Sequence, residues 1–435
     1  MSGRHFIIIC LLSIAPILCA QTSSSPDTQT PNTALPPVNA TITNAADHYN
    51  AAFNLLTLSA DQQSLLHTLI TTYTLGQTLS ESDLSAAQNL LKSSQNAIIT
   101  LRSINPDLPT RWPRDLTNAS TYNQPLPHLP NIKHTASLIH LDALIAAHLK
   151  DNRRLTADLL HLITLSQSLA ADEHIPAVKT RIEILLIFAQ LEHLLPLNIL
   201  TPNQLRDIQR KLYNTQLIPQ AKAAILYQRS QALIYTRDYI TDLIDPQANL
   251  TPDELSSNKQ TLTRLTTEFL LRLDNYDFNY SDLLKQTQQL PDSEILSKNL
   301  LPQYIRLVSQ DLATAQARLN TFIVALALQR YQLTNGSYPT SLEPLTPDLL
   351  PNIPIDPFNR SPLRYKHTQN AVVIYALGPD HLDNQARAYT SNATPTFGYL
   401  PASPPPSYIY TDITFNLGPY QQINFPQSLA PSPSK

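Results

Sequence analysis

The sequence predicts a mainly α fold, stacked antiparallel helical hairpins followed by a small α+β module with a long helix and a short antiparallel sheet. Three observations carry this. Apolar residues recur at three-to-four spacing over most of the chain from residue 45 onward. Two helix starts are spelled out, Thr201-Pro202-Asn203-Gln204 and Thr251-Pro252-Asp253-Glu254, each with an N-cap Thr, a first-turn Pro and a capping-box partner. After Asn335-Gly336 the helical period gives way to short alternating stretches punctuated by prolines.

Residues 1–20 read as a secretory signal. Arg4 and His5 precede an apolar run from Phe6 to Leu12, and Leu18-Cys19-Ala20 stands before Gln21. A bilayer-spanning helix needs about 20 apolar residues. This run is shorter and interrupted by Ser13 and Pro16, which favours cleavage over retention as an anchor. The expected location is therefore periplasmic or extracellular, with membrane association only if the signal is retained or Cys19 is lipidated. Cys10 and Cys19 are the only cysteines, so cleavage after Ala20 would leave no disulfide, thiol catalyst or Cys-ligated zinc.

Composition narrows the chemistry further. Net charge is −3, from 30 basic and 33 acidic residues without a basic run, which argues against a nucleic-acid partner. Only 6 residues are Gly while 36 are Pro, and no glycines cluster. Phosphate-cradling loops need several close glycines so that backbone amides can approach the ligand, so dinucleotide and P-loop folds are excluded.

Residues 21–44 are rich in Ser, Thr, Pro and Asn and read as a disordered linker. Residues 45–300 form the expected helical domain. Leu138, Leu141, Ile145 and Leu149 mark one helix face, and Leu155, Leu159, Leu162 and Leu169 mark the next after the polar break at residues 151–154. Residues 182–195 are apolar nearly all round, as in a helix packed between neighbours, and Pro196 ends them. Residues 101–134 lapse into a Pro-rich loop containing Arg111-Trp112-Pro113-Arg114-Asp115 and Pro125-Leu126-Pro127-His128-Leu129-Pro130. Trp112, the only Trp, reads as a plug at the end of the helical stack, with the lining of a binding groove as the alternative.

Residues 301–390 form the expected α+β module. An amphipathic helix over residues 311–333 carries Leu312, Leu319, Phe322 and Leu326 on one face and stops at Asn335-Gly336. Thr340-Ser341-Leu342-Glu343 reads as a capping box for one short turn. Residues 363–366 and 371–377 read as two strands around a turn at residues 367–370. Residues 391–435 form a Pro- and Ser-rich tail with one further strand at residues 408–415.

Within this module, residues 311–383 resemble the C-terminal part of the major pseudopilin of type II secretion systems. The matching pieces are the helix end running from Arg330-Tyr331 to Tyr338-Pro339, then Ile355-Asp356-Pro357-Phe358-Asn359, Leu363-Arg364-Tyr365 and Ile374-Tyr375-Ala376-Leu377-Gly378-Pro379-Asp380. They cover about a sixth of the chain. A pseudopilin begins with a basic leader and a membrane helix that builds the fibre, whereas here more than two hundred residues precede the match. Asp311, Arg318, Asn320, Gln329 and Arg330 prevent residues 311–333 from being that membrane helix, so fibre assembly is not implied. The whole chain also resembles a group of exported bacterial proteins, without an assigned activity, that join such a helical domain to this module. In the pseudopilins the loop after the last motif binds calcium, which makes Asp380 and Asp383 the metal candidates and calcium the one cofactor considered. The Gly- and Asp-rich continuation is replaced by Asn384-Gln385-Ala386-Arg387, and a simple Asx turn is the competing reading.

No catalytic motif emerges elsewhere. His134, His140 and His148 lie off the one-turn spacing that pairs metal ligands on a helix. No Ser has the flanking glycines of a nucleophile elbow. Glu192-His193 and Asp172-Glu173-His174 read as solvated helix-surface charges. The expected function is an exported non-enzymatic scaffold with a protein partner. The alternative is a hydrolase whose carboxylates come from separate helices.

Overall fold

Asn44 caps the first described helix: its side chain accepts from the Ala46 N–H at the start of α1, Ala45–Asn54. The same amide holds a loop distant in sequence, donating to the Arg111 carbonyl and accepting from the Arg111 N–H at 2.8 Å each. The computed structural model describes residues 44–74, 80–113, 122, 124–191, 194–367, 372–386 and 412–417. The described residues all belong to one compact unit. The expected signal, nearly all of the linker, Cys10, Cys19, Glu192-His193 and most of the tail fall outside the described residues.

Helices α2 (Ala60–Thr74), α3 (Glu81–Ser93) and α4 (Gln95–Arg102) follow, α3 starting from a capping box between Ser80 and Asp83. The central helix is α5, His128–His148, buried on nearly every side between α2, α6 (Asn152–Gln167) and α7 (Ile175–Leu186). Three residues join α5 to α6. Lys150 takes a left-handed turn (φ 56°) and Asp151 caps α6 by accepting from the Arg154 N–H. So short a connection makes the pair an antiparallel hairpin, as the two Leu-marked faces predict.

The apolar run at 182–195 is not one helix. It starts earlier, in α7 at Ile175, with Pro176 in the first turn, and tightens to 3₁₀ geometry at Ile187–Leu191 and Leu195–Leu197. Pro196 has no N–H to continue an α-helix, and Asn198 turns left-handed. Helices α8 (Pro202–Tyr213) and α11 (Pro252–Asp274) begin where the sequence places them, with both capping boxes complete. Around them lie α9 (Ile218–Ile234), α10 (Thr236–Leu243), α12 (Ser281–Gln288) and α13 (Ile295–Arg306).

The helix expected at 311–333 departs from its prediction in two ways. It is the continuation of α13, which passes through a π-helical turn at Leu307–Leu312 into α14, Ala313–Asn335. It is also buried on several faces rather than one, with Ala315, Leu319, Phe322, Val324 and Leu328 all in the core. The reason is that α7 and α8 pack against it as well as the sheet. Gly336 ends it in the left-handed region (φ 79°), its N–H bonded to the Gln332 carbonyl.

The sheet has strands β1 (Arg364–His367), β2 (Val372–Ala376) and β3 (Ile413–Leu417), antiparallel in that order. Ile374 of the central strand faces Tyr365 on one side and Phe415 on the other. The two expected hairpin strands are present, and the third comes from the tail, so a module ending at 390 omits one strand of its own sheet. The expected capping box at Thr340 is a 3₁₀ turn, Glu343–Leu345, without a side-chain cap. One apolar cluster runs from Ala45 to Leu417, and the expected boundary between 300 and 301 falls inside α13. Among the described residues no helix is long and apolar enough to cross a membrane.

Candidate functional site

Two aspartates stand on faces that the leucine pattern marks as apolar. Asp142 lies one turn from Leu138 and Ile145 on α5, and Asp158 one turn from Leu155 and Leu162 on α6. Both are buried, and a carboxylate cannot be buried alone. Arg102, the last residue of α4, donates through Nη2 to Asp142 Oδ2 at 2.7 Å and also contacts Asp158 Oδ1. Arg154, one turn into α6, contacts Asp142 Oδ1. Burial, reinforced by the neighbouring Asp142 carboxylate, pushes Asp158 up to about 8 despite the Arg102 guanidinium.

Beside this cluster lies a cavity of about 160 Å³ between α1, α4, α5, α6 and α8. Its polar lining is Arg102, His161, Thr164 and Lys211, with Tyr49, and its apolar wall includes Leu101, Ile104, Ile139 and Leu165. Among the described residues no carboxylate lines it. Burial holds Lys211 below the usual lysine value. Burial also lowers His161, whose Nδ1 lies 2.7 Å from the Ala157 carbonyl.

A second polar centre overturns the reading of Asp172-Glu173-His174 as solvated charges. Asp172 and His174 do not extend from a helix surface. They sit in the turn between α6 and α7, where Asp172 is buried and its carboxylate bridges His128 Nε2 at 2.8 Å and His174 Nδ1 at 2.6 Å. Burial alone would raise Asp172, but the hydrogen bonds to the two imidazoles reverse this and hold it well below the usual carboxylate range. His128 stacks on Trp112 with ring centroids 4.5 Å apart, and the Trp112 indole N–H donates to the Ser168 carbonyl at 3.0 Å. Tyr49 and Phe53 of α1 complete the enclosure of Trp112, which is the plug rather than a groove wall. Arg114 and Asp115 lie outside the described residues.

In the C-terminal module, Asp380 Oδ1 accepts from the Leu382 N–H at 3.1 Å and Asp383 Oδ1 from the Gln385 N–H at 2.9 Å. Each is an Asx turn. The remaining oxygens bond the Asn384 amide and Arg364 Nε. Asp412, which the sequence reading passed over, is buried opposite them and accepts from the N–H groups of Asn384 and Ala386. Asp356 of the Asp-Pro-Phe-Asn motif is likewise buried and accepts from the N–H groups of Phe358 and Leu377. These acids tie loops to the sheet. His134, His140 and His148 all lie on α5, where burial lowers His134. Among the described residues no three or more His, Cys, Asp or Glu gather in a way that could hold a metal ion.

Sequence reasoning missed the whole Arg102, Asp142, Arg154, Asp158 and Lys211 group. The available signal was an acid on an apolar helix face, which needs a partner, but the partner's position is set by packing. No protein-family model, no curated protein and no solved structure matches the chain.

Proposed function

We propose that this chain is an exported, non-enzymatic protein whose helical stack presents a surface to another protein, with the pseudopilin-like module as a second contact. The observation that carries this reading is the state of the Asp142 and Asp158 carboxylates. They come from separate helices and burial drives Asp158 towards its neutral form, as a hydrolase pair would require. Yet both are buried, Arg102 and Arg154 cover them, and the adjoining cavity carries cations rather than acids. A pair that cannot touch a substrate holds helices together instead.

The test has two arms. Mild cross-linking and affinity capture from the envelope fraction should recover a specific protein partner, and recovery of none would count against the scaffold. A screen of peptide, glycan and ester substrates should give no turnover. Hydrolysis abolished by D142N in a folded protein would instead establish the enzymatic alternative. Export itself predicts a mature N-terminus at Gln21, read by mass spectrometry of the secreted or periplasmic protein; a retained Met1 would contradict cleavage.

A further inference from the structure

Lys211 projects from α8 to the cavity beside Arg102, and among the described residues no carboxylate pairs with it at close range. Its Nζ donates to Thr164 Oγ1 at 2.6 Å, and that hydroxyl spends its own proton on the Leu160 carbonyl at 2.9 Å. The ammonium therefore retains further N–H groups for a ligand. Asp107 is the carboxylate that offsets it, and does so from beyond ion-pair distance. Arg102 adds a second cation on the cavity wall. Its contacts to Asp142 and Asp158 run through Nη2, and the residue itself lines the cavity.

The rest of the cavity sets the ligand class. His161 Nδ1 hydrogen-bonds the Ala157 carbonyl, so Nδ1 carries a proton, and the ring also bonds the Arg102 backbone. Leu101, Ile104, Ile139 and Leu165 supply an apolar wall. A water occupies roughly 10–15 Å³ of such space, so about 160 Å³ admits a molecule of several heavy atoms. A partly buried cation pair facing hydrocarbon suits an anionic head on a short apolar body.

We propose that this cavity binds a small organic monocarboxylate, its carboxylate on Lys211 and Arg102 and its hydrocarbon against Ile104, Ile139 and Leu165. The proposal does not depend on the scaffold reading.

Calorimetric titration of the full chain with linear monocarboxylates from acetate to octanoate, and with inorganic phosphate, tests it. Affinity should rise with chain length and then fall once the tail exceeds the cavity, with phosphate at least tenfold weaker than the best carboxylate. K211M should weaken that carboxylate about tenfold or more, the scale of a charge-assisted hydrogen bond. K211R should keep binding within a few-fold, and K259M, at an exposed lysine elsewhere, should change nothing. Circular dichroism verifies that each variant is folded, and K211Q replaces K211M if that variant is not. No saturable carboxylate binding, phosphate binding as tight as the best carboxylate, or binding unchanged in the neutral variant would each overturn the proposal.

Discussion

Two buried aspartates give the stability of this protein opposite dependences on pH. Asp158 has a folded value raised to about 8, so between about pH 4 and 8 the folded state holds a proton that the unfolded chain releases. Stability from this group therefore falls as pH rises through that window, and urea unfolding at several pH values should show a flatter slope in D158N than in the parent. An unchanged slope would remove Asp158 as the cause. Asp172 is shifted the other way, so its contribution is in place above the ordinary carboxylate value of about 4 and is lost as pH falls below it. D172N should cost about 1–3 kcal/mol at pH 7, since His128 and His174 bond separate carboxylate oxygens and an amide keeps only one acceptor. Because Trp112 is the only Trp and stacks on His128, its fluorescence should shift with D172N, and a spectrum identical to the parent would contradict the clamp. The sequence shows these acids and imidazoles as residues, but not that the turn between α6 and α7 folds back to bury them. That contact spans 44 positions between His128 and Asp172.

Helix starts are the elements the sequence specifies most directly, because a cap is a local bond between neighbours. Thr201 and Thr251 accept from the N–H groups three residues on, with Gln204 and Glu254 returning the bond. Replacing either Thr with Ala should cost about 1 kcal/mol in chemical denaturation, and a change near zero at both would show that tertiary packing alone fixes these ends. Helix ends and continuations were less legible. The π-helical turn at Leu307–Leu312 joins α13 to α14 without Gly or Pro within it, so no local residue marks it. The loop around Asp356 lies between these extremes. Its motif is visible, but its function as an acceptor for the Leu377 N–H, 21 residues away, is not. D356A leaves that N–H and the Phe358 N–H without their acceptor and should destabilise by about 1–3 kcal/mol for each group left unsatisfied.

At the scale of the whole molecule, the change from helical to strand periodicity after Gly336 predicts two architectures in one chain, and both are present. The periodicity does not say that they share a core, because shared burial depends on which faces meet. Phe322 of α14 settles that point: its ring lies 5.6 Å from Phe188, which follows α7, and 5.4 Å from Phe415 of β3. Polar contacts cross the same seam, with Gln209 of α8 bonded to the Leu349 carbonyl and to Arg330, and Tyr213 to Asn352. A helix packed between two regions couples their unfolding, since neither can lose it without exposing apolar surface. F322A should therefore cost about 3–5 kcal/mol, the range for a buried Phe. The loss should be reported equally by far-UV circular dichroism and by Trp112, which lies in the N-terminal half, far in sequence from the substitution. A chain ended at residue 300 should fail to give a cooperative transition, because α7 and α8 would lose their packing against α14. Two resolved transitions in the intact chain, with Trp112 insensitive to F322A, would instead establish the module as a separately folding domain.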